Sequence, residues 1–312
     1  MSISRQNLSI VIVTIKSENV IHQCLRSIDN DIPIIVIENS KNSKIKNELE
    51  SQYKNVKCEI INKNIGMGSA NNYGISLALT DYVFILNPDI ILEPNAIEEI
   101  ILASDKISDF SILSPISNND KYPNYKLFNG ISPYNKITKE KLIDVNKEPF
   151  VVRSIDGFAM LLNKKKLKNI SNIVNRKNPN ILNYFDPNFF MYLENNDLCE
   201  RVTKNGGKIY IIPQSKINHL AAKSVDQKYS EEIEYSRNWH WIWSQFYYNK
   251  KHFSFLTALM KGLPIFLSAL MKYCFFLLTN NKKKRKIYFN RASGFINALL
   301  GKTAWYRPNL DA

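Results

Sequence analysis

Over the first hundred residues, continuous apolar runs alternate with segments whose apolar residues recur at helical spacing. Leu8–Ile15 and Ile32–Glu38 are β-branched runs. Between them Val20, Ile21, Cys24, Leu25 and Ile28 follow a capping residue, Ser17, at intervals of three and four, the pattern of an amphipathic helix in a βαβ unit. Further strands are predicted at Val56–Asn62, Tyr82–Leu86, Phe110–Ser114 and Lys208–Ile212, with helices over Lys44–Tyr53, Ala70–Thr80 and Pro94–Lys106. Strands apolar on both faces and joined by helices imply an α/β fold with a mostly parallel sheet. Ligands of such sheets bind beyond the carboxyl ends of the strands.

The polar residues at those ends are therefore the candidates for chemistry: Thr14–Ser17, Glu38–Ser40, Asn62–Ser69 and Asn87–Asp89. Asn64-Ile65-Gly66-Met67-Gly68 leads into a helix with Asn71 and Asn72 in its first turn, where backbone N–H groups can meet a phosphate or a base edge. Neither GxGxxG nor GxxxxGK[ST] is present; an ordinary strand-to-helix turn is the plainer reading. Asp89 leaves an apolar strand through Asn87-Pro88. A strand-end carboxylate there suits Mg²⁺ or Mn²⁺ shared with substrate phosphates, against a simple Asn-Pro turn. A hundred residues on, a helix beginning near Glu194 puts Glu194, Asp197 and Arg201 on one face, either as a proton acceptor with its partners or as an intrahelical ion pair. His219, after a strand, is a second metal or diphosphate contact or a satisfied polar residue.

The net charge of +14 is unevenly placed. From Tyr235 onward there are thirteen Lys and Arg against one acid, Asp311. A nearly neutral body thus carries a basic tail, which asks for an anionic partner. Trp239 to Lys251 interleaves aromatics with cations, Phe255, Leu259, Leu263, Phe266 and Leu270 continue at helical spacing, and Lys282–Lys286 is wholly basic. These features predict a helical extension over 226–312, lying on an anionic membrane surface or packing on another copy of the chain as a homo-oligomer. Lys261, Pro264 and Lys272 break the apolar stretch Phe253–Thr279, which argues against a spanning helix. A nucleic-acid-binding tail is the competing class, opposed by the apolar setting of the cations and by the acids at 89, 194 and 197. Four scattered cysteines without a CxxC pair argue for a reducing compartment. The short N-terminal apolar run lacks a cleavage site, so the expected location is cytoplasmic.

Taken in order, Ser9–Thr14 with Cys24–Ile28, Val36–Ser40, Asn64–Gly66 through Asn71-Asn72-Tyr73-Gly74, Leu86–Asp89 and Phe189–Arg201 resemble family 2 glycosyltransferases, particularly the rhamnosyltransferase-like branch of bacterial surface polysaccharide synthesis. The resemblance covers residues 7 to 225. It implies a GT-A catalytic domain over 1–225, Rossmann-like in its sheet. It further implies that Thr14 and Glu38 hold the nucleotide's base and ribose, that Asn64, Gly66, Asn71, Asn72 and Asn87 line the donor site, and that Asp89 holds Mg²⁺ or Mn²⁺, with His219 the candidate second ligand. Glu194 or Asp197 would deprotonate the acceptor hydroxyl, with Asp156, Gly157 and Arg201 on the acceptor side. Two positions depart from the family pattern: Asn87 replaces an acid, and Asn195 stands where the family commonly has Asp. An amide accepts no proton at neutral pH, so the base shifts to Glu194. The resemblance thus implies inverting transfer from a nucleotide-diphosphate sugar, dTDP-rhamnose first, to a glycan or lipid-linked acceptor; with the basic apolar tail, the expected location is peripheral on the inner face of the cytoplasmic membrane. A catalytically inactive nucleotide-sugar-binding protein is the competing reading that Asn195 suggests.

Overall fold

The computed structural model describes residues 3–107, 109–119, 123–128, 148–170, 182–220 and 227–310. It divides into two compact units, one of residues 1–186 with 195–226 and one of residues 187–194 with 227–312.

In the first unit the strands are β1 (Leu8–Thr14), β2 (Ile34–Glu38), β3 (Val56–Ile60), β4 (Tyr82–Leu86), β5 (Ile90–Leu92), β6 (Ile112–Ser117), β7 (Tyr125–Lys126), β8 (Phe150–Val152), β9 (Ser154–Ile155), β10 (Ala159–Asn163) and β11 (Ile209–His219). The helices are α1 (Glu18–Arg26), α2 (Ser43–Gln52), α3 (Met67–Leu77), α4 (Ala96–Lys106), α5 (Lys164–Leu167) and α6 (Glu194–Lys204), whose first residue falls in the second unit. All but β7 and β9 join one sheet of order β3-β2-β1-β4-β10-β6-β11-β5, with β8 beside β11. Alternation along β1 sends Ile10 and Ile12 to one face and Val11 and Val13 to the other. On the first face they meet Ile21, Cys24 and Leu25 of α1, Leu49 of α2 and Ile100 of α4. The second face packs Ala70 and Ile75 of α3 and Leu198 and Val202 of α6. Both faces are dry, which is why these strands read as unbroken apolar runs rather than alternating ones.

The parallel expectation holds for only half of this sheet. Strands β3, β2, β1 and β4 are mutually parallel. Beyond them β10 enters antiparallel to both β4 and β6, while β11 runs parallel to β6 and antiparallel to β5 and β8. Short strands such as β5 and β10 carry no periodicity that separates them from loop, and the pairing that stabilises them is supplied by distant neighbours. The predicted strand Lys208–Ile212 is the start of β11, which shifts register between Ile212 and Lys216 and continues to His219.

The second unit contains α7 (Ser230–His252), α8 (Phe255–Leu278) and α9 (Lys282–Leu299). Phe190, Trp239, Ile242, Trp243, Phe246, Phe295 and Ala298 form its core. As the helical spacing of Phe255 to Leu270 predicts, α8 is a helix that runs unbroken through Pro264. By length and composition alone it could cross a membrane. The two lysines and the proline dilute the apolar run, yet none of them stops the helix.

Candidate active site

Strand β4 ends at Leu86, and the chain turns at once: the Asn87 N–H donates to the Phe158 carbonyl at 2.9 Å and the Ile90 N–H to the Asn87 carbonyl at 3.2 Å. Asp89 sits in that turn. Its carbonyl accepts from the Leu220 N–H at 2.9 Å, and the next residue, Ile90, is the register partner of His219. Two adjacent strands therefore bring Asp89 and His219 together, with Oδ2 3.6 Å from Nε2. The Asp89 carboxylate is 2% exposed, and its Oδ1 is buried without a hydrogen-bond partner. A buried carboxylate oxygen in that state is costly unless a cation meets it. The imidazole is held from behind, its ring stacked on Phe158 at 4.5 Å between centroids. Asn119 fixes its backbone by accepting from the His219 N–H at 2.8 Å and donating to the His219 carbonyl at 2.7 Å.

A carboxylate and an imidazole make a donor set compatible with Mn²⁺ or Mg²⁺. Among the described residues no group of three or more His, Cys, Asp or Glu side chains is placed to hold a metal, so an ion here would take its remaining ligands from phosphate and water. Such an incomplete protein shell is usual where a cation is shared with a substrate diphosphate.

The ends of β1 and β2 form a polar corner. Thr14 Oγ1 donates to Glu38 Oε2 at 2.7 Å, and the Ser40 hydroxyl donates to the other carboxylate oxygen. Burial raises the Glu38 carboxyl above its ordinary pKa, while the bonds from Ser40 and Thr14 pull the other way. Next to it Asn39 donates to Asn64 Oδ1 at 3.1 Å and accepts from the Ile65 N–H at 2.9 Å, and Asn64 accepts from the Gly66 N–H at 3.0 Å. This network ties the β2 end to the turn that opens α3. Gly66, at φ 89°, occupies the left-handed region that favours glycine. Asn71 of α3 is buried with Oδ1 lacking a hydrogen-bond partner, a second open valence.

Asn72 does something else. Its amide donates to the Phe185 carbonyl at 2.7 Å and accepts from the Phe185 N–H at 2.9 Å, clamping backbone 113 residues away as a strand partner would. The structure thus gives Asn72 a scaffold role where the sequence placed it in the donor site.

Helix α6 sorts the other candidates. Asp197 is fully buried and receives Arg201 Nε at 2.9 Å. Arg201 also donates to the carbonyls of Ile170, at 3.1 Å, and Tyr184, at 2.5 Å. This geometry turns Asp197 and Arg201 toward holding loops rather than toward a hydroxyl or an acceptor. Asn195 donates to the Ile155 carbonyl at 2.8 Å, and a Cβ on Gly157 would lie 3.1 Å from the Asn195 Cβ. The amide at 195 therefore fastens the 155–157 loop, beside exposed Asp156 and next in sequence to Phe158. Glu194 begins α6 and belongs to the second unit. The two residues before it, Tyr192 and Leu193, adopt φ of 71° and 66°, a conformation that costs side-chain-bearing residues about 1 kcal/mol or more each.

Asn39 lies within the strand-end candidates Glu38–Ser40 without a role of its own, and Asn119 and Phe158 were not singled out from sequence. Asn119 lies just past β6, and the strand-end rule applied to that strand would have found it. Phe158 carries no polar side-chain signal; its ring stack on His219 and its carbonyl's bond from the Asn87 N–H give it a place in the site.

The sequence model of glycosyl transferase family 2 matches residues 9–170. No curated protein matches the chain. Among solved structures, GalNAc-T7 with UDP, GalNAc and Mn²⁺ is similar over 68% of this chain and 43% of its own, at 16% identity and TM-score 0.50. The chain thus spans less than half the length of that protein. TarS of S. aureus, residues 1–349, aligns over 96% of this chain and 93% of its own, at 13% identity and TM-score 0.49.

Proposed function

The chain belongs to glycosyl transferase family 2 and has the GT-A-like fold of that family, and from that premise we propose that it is an inverting transferase that moves a sugar from a nucleotide-diphosphate donor to a hydroxyl. One observation carries the reading. At the carboxyl edge of β4, Asp89 keeps a buried oxygen without a hydrogen-bond partner, 3.6 Å across from His219 by its other oxygen.

The Glu38, Thr14 and Ser40 corner receives the nucleoside, its carboxylate accepting from a base or ribose donor. The Asn39–Asn64–Gly66 network presents the α3 N-terminus toward the donor phosphates, where the helix dipole favours negative charge. Asn71 supplies an acceptor from the same helix. Asp89 and His219 would hold Mg²⁺ or Mn²⁺, which when bound would offset the charge gathering on the departing diphosphate.

Transfer is a single in-line displacement. The acceptor oxygen bonds to the anomeric carbon as the bond to the diphosphate oxygen breaks, and the pair of electrons leaves with the nucleoside diphosphate. Glu194 accepts the hydroxyl proton, keeping the new oxygen neutral. It is preferred to Asp197 because Arg201 and full burial already occupy that carboxylate. Asn195, the next residue, fixes the loop bearing Asp156 and Gly157, which form the acceptor side.

The donor first in line is dTDP-rhamnose, and a UDP-hexose or UDP-N-acetylhexosamine is the alternative. A panel of nucleotide sugars, assayed for thermal stabilisation and for donor turnover with Mn²⁺ or Mg²⁺, tests the reading. Metal-dependent stabilisation by one donor in wild type, and its loss in Asp89→Asn, is expected. No stabilisation by any nucleotide sugar would end it.

A further inference from the structure

Helix α8 leaves most of its apolar surface uncovered. Only Ala258 and Ala269 along it are buried. Leu256, Met260, Leu263, Leu267, Met271 and Leu278 recur at steps of three, four or seven and are 41% to 86% exposed, so they form one stripe along the helix. A soluble monomer rarely leaves so long an apolar strip in water. The opposite side is committed within the same unit, for Phe266 stacks on Phe295 at 4.9 Å and Phe276 on Tyr288 at 5.6 Å. A helix tied down along one side by highly charged neighbours cannot leave them to span a bilayer, but it can lie on one.

Charge selects the occupant. At the elbow between α8 and α9, a cavity of about 430 Å³ is lined by one acid, Glu231, which accepts from the Tyr235 hydroxyl, and by the cations Lys282, Lys283, Arg285 and Lys286. Glu234 neutralises Lys283 at 2.9 Å and Glu232 neutralises Lys286 at 3.1 Å. Among the described residues Lys282 and Arg285 have no such partner. Cations with a flanking apolar stripe fit a lipid phosphate above acyl chains. A second copy of this chain would bring the same positive charge against itself.

We propose that the helical unit docks flat on an anionic lipid leaflet through the exposed stripe of α8, with Lys282 and Arg285 at the elbow receiving lipid phosphate. This rests on the second unit alone and is independent of the proposed chemistry. The test is flotation of the full chain with vesicles of phosphatidylcholine alone and of phosphatidylcholine with phosphatidylglycerol. Wild type should float with the anionic vesicles. Leu263→Asp with Leu267→Asp should lower partitioning at least about tenfold, and Lys282→Glu with Arg285→Glu should lower it by a similar factor and abolish the preference for phosphatidylglycerol. Leu102→Asp, at an exposed leucine of α4 in the first unit, should float as wild type. Tryptophan emission checks that each variant keeps its folded helical unit, because all four tryptophans, at 239, 241, 243 and 305, lie there. Failure of wild type to float, flotation unchanged in the α8 double variant, or a lipid-free dimer broken by that variant would each overturn the proposal.

Discussion

The two units leave opposite kinds of surface unspent. The α/β unit hides its strands on both faces yet keeps buried polar atoms open, Oδ1 of Asp89 and Oδ1 of Asn71, near the carboxyl edge of its sheet. In the helical unit Ser236 Oγ and His240 Nδ1 are also buried without hydrogen-bond partners, but the larger surface left open is apolar, in a stripe along α8 beside a knot of cations. An open polar valence inside a protein is costly per atom and directional, so it suits a small charged ligand. Exposed apolar area is cheap per atom and has no direction, so it suits a surface. One chain can therefore pair a precise donor site with an imprecise dock.

This contrast can be broken at either end. The largest effect is expected from Asp89→Asn, which keeps shape and removes charge. Donor turnover should fall about 10⁴-fold, since charge stabilisation of the leaving group is worth several kcal/mol, and the metal-dependent thermal shift should vanish. Retained metal dependence would show that the open valence is not the ion site.

Glu194→Gln should cost about 10²- to 10⁴-fold in transfer rate while donor stabilisation persists. Asp197→Asn, by contrast, should lower the melting temperature, because it leaves the half-buried Arg201 without its charge partner. If Asp197→Asn instead lost transfer at unchanged melting temperature, the base would be Asp197 and the division of roles along α6 would be reversed.

A titration sharpens the comparison from the helical side. His240 is buried and its pKa is pushed down to about 4, chiefly by burial. Its Nε2 meets the Tyr306 carbonyl at 2.8 Å, and its Nδ1 is buried without a hydrogen-bond partner. The unfolded chain takes up the proton first, near pH 6.5, so stability is full above that pH and is lost as pH falls toward 4. The loss is about 3 kcal/mol. Urea melts followed by tryptophan emission report only the helical unit and should show this fall, and His240→Gln should flatten it. A flat profile in wild type would mean the imidazole is not held neutral by burial.

The smallest effect belongs to Asn72→Ala. Losing its two bonds to Phe185 should cost about 2 kcal/mol of stability, with donor affinity in the surviving folded protein close to wild type. A selective loss of donor affinity would return Asn72 to the donor site.

Much of the candidate site was legible because each apolar run ends in polar residues. Thr14, Glu38, Asn64 and Asp89 were found by that rule. What it could not do was sort residues of one type. Asn71 and Asn72 are neighbours on one helix turn, and nothing local tells the open amide from the clamp on Phe185. Glu194 and Asp197 share a helix face by spacing, yet only the position of the Ile170 and Tyr184 carbonyls turns Arg201, and with it Asp197, into scaffold.

The amino-acid sequence by itself determined the βαβ start, the parallel half of the sheet, the strand ends that bear chemistry and the charge gradient to the tail. All of these follow from periodicity and composition, which act between near neighbours. Tertiary structure decided the antiparallel entry of β10, the pairing of Asp89 with His219 and which face of α8 stays bare. Each depends on contacts between residues far apart in the chain, whose partners no local pattern names.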